Sequence, residues 1–167
     1  MLTVAVSAEA QTFLYLGKGF RNENNPTGSG STARNPLWLG GGYLLENVGL
    51  ASDLMYFSHQ SSASYLTVKT EQYEWMLWPR YSPFGLRTWF PFVEGGVGLQ
   101  QTIVETDFLS QSNKSYSVLY GVFGMGLGIW NSVYKGISVG AHLRTQWRPK
   151  TSPQFTYDLL GVVGYQF

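Results

Sequence analysis

Taking every second residue of the stretch 155–167 gives Phe155, Tyr157, Leu159, Gly161, Val163, Tyr165 and Phe167. The intervening positions carry Thr156, Asp158, Leu160, Val162, Gly164 and Gln166. A period of two is a strand signal, because successive side chains of a strand point to opposite faces. Aromatic residues lie towards both ends of one face, and the stretch closes on a phenylalanine. Soluble proteins seldom end on an apolar strand with an aromatic terminus, so this stretch asks what solvent its apolar face meets.

The same rhythm recurs through the chain. Alternating segments are expected at 11–20, 36–46, 48–60, 67–78, 86–101, 116–130, Ile137–Trp147 and 155–167, eight in all. The seventh is the clearest: Ile137, Val139, Ala141, Leu143, Thr145 and Trp147 alternate with Ser138, Gly140, His142, Arg144 and Gln146. The connections alternate too. Longer polar stretches at 21–35, 60–66, 104–115 and 148–154 are expected as loops, and short turns fall near Asn47, Ser82 and Ser132. Strands of about ten residues, with short turns at one end and longer loops at the other, suit an eight-stranded antiparallel up-and-down barrel in a membrane. In such a barrel the apolar face turns outwards and the polar face inwards.

Composition agrees and removes several function classes. Charged residues make up 13% of the chain, about half of the roughly 25% typical of soluble domains. The net charge of +1 comes with no basic run, so nucleic-acid binding has no electrostatic footprint. Cysteine is absent, which excludes disulfides and thiolate metal sites, and the two histidines, His59 and His142, show no metal-ligand spacing. No cofactor or metal is expected. No run of 18 apolar residues provides a spanning helix. A barrel is compatible with the mean hydropathy of −0.09, since its strands alternate. The 167 residues are expected to form one domain. Residues 1–10 read either as the tail of a signal peptide or as the start of the first strand.

Tryptophan placement is expected to mark two interfacial belts, with Trp38 and Trp147 near the long-loop end and Trp75, Trp78, Trp89 and Trp130 near the short-turn end. Tyr43, Tyr157 and Tyr165 extend these groups. The segment Phe90-Pro91-Phe92-Val93-Glu94-Gly95-Gly96-Val97-Gly98 resembles a strand common in the OmpA/OmpX-like family of small outer-membrane barrels. Leu39-Gly40-Gly41-Gly42-Tyr43 and residues 124–129 share its glycine-interleaved look. The closing strand is similar to the terminal strand by which such proteins are recognised for insertion. The resemblance implies an eight-stranded barrel in the outer membrane of a Gram-negative bacterium, often without enzymatic activity. It also implies lipid and lipopolysaccharide as surroundings, the barrel assembly machinery as a partner reading Tyr165 and Phe167, and a monomer. No catalytic residues carry over from it.

On the inward face the alternation gathers Asp53, Glu74, Glu94, His142, Arg144 and Asp158. Unpaired buried charge is costly, so Arg144 is expected to bridge Glu94 or a neighbouring carboxylate, forming a plug rather than a pore, with a narrow channel as the alternative. One catalytic alternative remains. Ser58-His59-Gln60-Ser61-Ser62 with Glu71 faintly resembles the outer-membrane lipid A deacylases, in which a His-x-Ser works with a glutamate; here the candidates are His59, Ser61 and Glu71. Those enzymes carry the motif near the C-terminus, whereas this one lies in the first half. The expected role is therefore non-catalytic: structural support or surface interaction through the loops.

Overall fold

The computed structural model describes residues 10–24, 31–63, 65–84, 89–108, 111–149 and 154–167. Ten strand segments appear: β1 (Ala10–Asn24), β2 (Ser31–Arg34), β3 (Leu37–Leu45), β4 (Val48–Ala63), β5 (Leu66–Tyr81), β6 (Trp89–Phe108), β7 (Gln111–Tyr116), β8 (Tyr120–Tyr134), β9 (Ile137–Trp147) and β10 (Phe155–Gln166). They build eight staves. β2 and β3 are one stave interrupted at Asn35 and Pro36, where proline has no N–H to give the ladder. β7 and β8 share the flank of β6 and are separated by residues 117–119. Every pairing is antiparallel, and β10 pairs with β1 from Phe13↔Gln166 to Asn24↔Phe155, which closes the barrel.

The stagger follows from the register. Stepping between Cα partners from Gln11 leads through Leu44, Gly49, Arg80, Glu94, Gly126, Arg144 and Asp158 back to β1 at Arg21. One circuit has climbed from 11 to 21, a shear of ten residues. Eight strands so staggered tilt by about 35–45° and enclose a space that side chains can fill.

Two tight turns define one rim. At Glu46-Asn47 the glutamate takes a positive φ of 51°. At Lys135-Gly136 both φ values are positive (41° and 85°), as a type I′ hairpin requires. A bulge between Ser132 and Tyr134 precedes the second turn.

At the other rim the structure corrects the expected loops. The stretch 21–35 is not simply a loop: β1 runs on to Asn24, and Ser31–Arg34 returns beside it. At 60–66, β4 continues to Ala63 and β5 begins at Leu66. Most of 104–115 is the β6–β7 hairpin. In each case polar residues keep strand pairing, because the ladder is made by backbone and composition alone does not end it. Of 148–154, Arg148 is buried inside the barrel. The expectations for residues 1–9, 25–30 and 150–153 lie outside the described residues.

Alternation sorts the wall as a membrane requires. Leu14, Leu16, Leu39, Leu54, Val93, Val97, Leu127, Leu143, Leu159 and Val163 face outwards, while the inward positions hold nearly all the buried polar groups. The tryptophan belts need correction. Trp38, Trp78 and Trp130 are at most 2% exposed and fill the lumen; only Trp75, Trp89 and Trp147 face out, at 43–58%. Outward tyrosines and phenylalanines make up the belts instead. Tyr43, Tyr81, Tyr165 and Phe167 stand with Trp89 near the tight turns, and Phe20, Tyr56, Tyr73, Phe123 and Tyr157 stand with Trp147 near the opposite rim. Amphipathic rings favour both membrane–water interfaces.

A packed lumen as the candidate functional site

The lumen is built from the tight-turn end upwards. Its floor is aromatic: Phe13, Tyr15, Phe90, Phe92 and Trp130 pack together, with Phe90 and Trp130 stacked at 6.4 Å. The cavity among Phe13, Leu44, Phe92 and Arg80 measures about 10 Å³, room for a single water at most.

Above the floor lies a first ionic tier. Arg144 donates from Nε to Glu94 at 2.6 Å and from Nη1 to Asp53 at 2.7 Å. Arg80 Nε donates to the second oxygen of Glu94 at 2.8 Å. Asp53 also accepts from the Tyr15 hydroxyl at 2.7 Å and from Trp78 Nε1 at 3.0 Å. The Arg144 guanidinium lies 4.2 Å from the Trp78 ring centre, so the cation is held by two carboxylates and an aromatic face. His142 accepts at Nε2 from Trp130 at 3.1 Å and brings Nδ1 to 3.6 Å from Glu94, beyond a good hydrogen bond.

A second tier sits nearer the wide rim. Arg21 makes a two-pronged contact with Asp158, both bonds 2.7 Å, and reaches Glu74 at 3.0 and 3.1 Å. Glu74 also accepts from Gln146 at 2.6 Å and from Arg148 at 3.0 Å. Arg34 pairs with Glu23 at 3.0 Å and donates to Gln72. Parallel arginine–carboxylate forks of this kind are the strong, geometrically demanding class of hydrogen bond.

The register explains why these charges find each other. Arg80, Glu94, Gly126, Arg144, Asp158 and Arg21 are consecutive Cα partners across five strand boundaries. Their signs run plus, minus, none, plus, minus, plus, so each ion is flanked by its opposite. Gly126 is the gap that admits the Arg144 stem: a Cβ there would sit 2.9 Å from Arg144 Cγ. Gly96 and Gly124 likewise open space for the Trp78 indole, and Gly40 for the Tyr15 ring. The inward glycines are thus steric complements of the large lumen side chains.

All six inward residues singled out from sequence, Asp53, Glu74, Glu94, His142, Arg144 and Asp158, are buried inside the barrel. Arg21, Glu23, Arg80 and Arg148 were not in that set. The parity of their strands carried the signal: Phe13, Tyr15 and Gly17 lead by twos to Arg21 and Glu23, Trp78 leads to Arg80, and Gln146 leads to Arg148. All five arginines among the described residues line the lumen, and no described lysine does. The planar guanidinium fork suits such packing better than a strongly hydrated ammonium.

The catalytic alternative is not assembled. His59 and Ser61 share one face of β4, above the belts and exposed, and His59 stacks on Phe57. Glu71 lies on the opposite face of the sheet, within reach of Lys69, Tyr56 and Tyr73. Among the described residues no cluster of His, Asp or Glu could hold a metal ion. At the closing strand, Tyr165 and Phe167 both point outwards and meet edge to face at 5.0 Å.

Known structures share this architecture. The fold is similar to that of Neisserial surface protein A (TM-score 0.71, 14% identity, covering 95% of this chain and 97% of that one). It is also similar to Ail, the attachment invasion locus protein of Yersinia pestis (0.64, 13%, covering 95% and 99%). A major outer membrane protein from Thermus thermophilus scores 0.69 at 10% identity, covering 95% and 99%. The fold is therefore that of the small eight-stranded β-barrels represented by these outer-membrane proteins. No family model matches the sequence, and no curated protein matches it either.

Proposed function

We propose that this chain is a non-catalytic surface protein of the outer membrane, which engages extended partner segments through the sheet that rises above its barrel. The observation that carries the proposal is that sheet. Past the upper aromatic belt, β4, β5, β6 and β7 continue as a four-stranded sheet, from Phe57↔Gln72 to Ala63↔Leu66 and from Ile103↔Tyr116 to Phe108↔Gln111. Among the described residues β7 pairs only with β6, and β3 leaves β4 after Leu37↔Tyr56. Both outer edges thus offer backbone donors and acceptors to an added strand. Lys69 and Lys114 are set against Glu71, Glu105 and Asp107 on one face of this sheet, a near balance that favours a peptide over a polyanion.

The test is selection of a displayed random-peptide library on the full folded chain. Enrichment of strand-forming peptides is expected, and its loss when both hairpins are shortened to the level of Gln72 and Gln101. Equal enrichment by the shortened chain would overturn the proposal. The paired lumen supports a plug rather than a channel, and a steady ohmic current from pure protein in a planar bilayer would overturn that part.

A further inference from the structure

Between the two aromatic belts, the outward wall of the described residues carries one charge, Lys18. It stands on β1 between Leu16 and Phe20, with Leu37 and Gly161 as its cross-strand neighbours, and it is exposed. No carboxylate pairs with it among the described residues. A cation on a lipid-facing wall is expensive in proportion to its depth, and such residues mark functional contacts. Phe20, two residues up the strand, already belongs to the upper belt. The lysine stem is long enough to lift its ammonium to that level.

A second feature leads to the same place. A groove of about 480 Å³ crosses the outer wall, lined by Val93, Met125, Leu127, Leu143, Thr145 and Tyr157. Next to the groove the wall is bare at Gly95, the Cα partner of Met125, where an added Cβ would meet nothing within 4 Å. The groove climbs with the shear from β6 to β10 and ends at Tyr157, which is paired with Asn22 on β1, the strand of Lys18. An apolar channel within the membrane thus rises to an interfacial hydroxyl, an amide and the wall's one cation among the described residues.

We infer that this wall binds one phosphorylated glycolipid of the outer leaflet, lipid A being the source. An acyl chain lies in the groove, and a phosphate rests at the upper belt on the Lys18 ammonium, with Tyr157 and Asn22 beside it. The alternative partner for the lysine, a carboxylate on a second copy of the chain, fits less well, since one convex barrel wall cannot fill a hollow in another. The binding does not depend on the sheet above the barrel, so the shortened-hairpin chain retains it.

Native mass spectrometry of the full chain in detergent micelles, titrated with bisphosphorylated lipid A and with its dephosphorylated form, tests the inference. One retained lipid A per chain is expected. Lys18→Leu is expected to weaken binding of the phosphorylated lipid about tenfold or more, the scale of a lost charge-assisted hydrogen bond, and to leave the dephosphorylated lipid unaffected. Val93→Phe, which enlarges a side chain lining the groove, is expected to weaken both forms. Both variants place apolar side chains towards lipid, and a gel-shift assay for the folded barrel confirms that they fold. Unchanged lipid A binding by Lys18→Leu would overturn the inference, as would a wild-type dimer that this substitution abolishes.

Discussion

The same strands behave oppositely below and above the upper aromatic belt. On β5 the residues inside the membrane turn Arg80, Trp78, Met76, Glu74 and Gln72 inwards, and Pro79, Leu77, Trp75 and Tyr73 outwards. Two residues on, the polarity inverts: Glu71 and Lys69 take the outward parity, and Thr70, Val68 and Leu66 the inward one. β6 does the same, passing from Val97 and Leu99 to Glu105 and Asp107 on its outward side, and from Glu94 and Gln100 to Val104 and Phe108 on the other. Period and pairing are continuous across the change; what changes is the medium outside. Lipid demands an apolar outer wall and drives charge into the lumen, where it must pair. Water places no such demand. The switch from Tyr73 to Glu71 therefore marks the membrane boundary in the sequence itself.

The difference predicts unequal consequences for equal chemistry. Arg144→Met removes the cation between Asp53 and Glu94, leaving Asp53 without a cationic partner and Glu94 with Arg80 alone in a packed interior. The expected cost is about 3–5 kcal/mol, read as a lower denaturation midpoint in detergent with an unchanged slope. Removing a charge from the sheet above the membrane, as in Glu105→Gln, is expected to leave that midpoint within error. Equal effects at the two sites would mean that the lumen is wetter than its packing implies.

A steric pair sharpens the same contrast. Gly124 faces the lumen, where an added Cβ would lie 2.5 Å from the Trp78 indole. Gly121, three residues earlier on β8, faces outwards, where an added Cβ would meet nothing within 4 Å. Gly124→Val is expected to destabilise by about 1–3 kcal/mol through overpacking. Gly121→Val is expected to be neutral or slightly favourable, because it adds a β-branched residue to an open strand position. The same denaturation series compares them.

Alternation made the barrel legible. Wherever apolar and polar residues took turns, as in Ile137–Trp147, the strand, its facing and its place beside the closing strand could all be read from the pattern. Reading failed where composition was weighed instead of parity. Residues 21–24 looked like the start of a loop because Arg-Asn-Glu-Asn is polar, yet inside a membrane barrel a polar residue at inward parity is the normal case, and Arg21 joins both Glu74 and Asp158. The tryptophans misled for a related reason. Trp38, Trp78 and Trp130 stand at the ends of strands, as belt residues do, but at inward parity, where the indole N–H of Trp78 finds Asp53 and that of Trp130 finds His142. The convergence of Arg80, Glu94 and Arg144 depends on the shear of ten, a property of eight pairings at once that no single strand displays.

The smallest expected effect lies on the outer sheet. The Lys69 ammonium, bonded to Glu71 at 2.9 Å, holds that carboxyl below the ordinary carboxylate value of 4.5, and the lysine is raised in turn. Because the folded-state pKa of Glu71 is depressed, its contribution to stability is present above the unfolded value and is lost as pH falls through the folded one. Both groups are solvated, so water and salt screen the pair and little stability rests on it. The measurable quantity is the titration itself. A carbon-detected NMR titration of the folded chain is expected to show Glu71 protonating below 4.5, and Lys69→Met to move that midpoint up, leaving the denaturation midpoint at neutral pH unchanged. A marked loss of neutral-pH stability in Lys69→Met would show that charge above the membrane is held as tightly as charge within it, and the contrast between the two halves of the strand would fail.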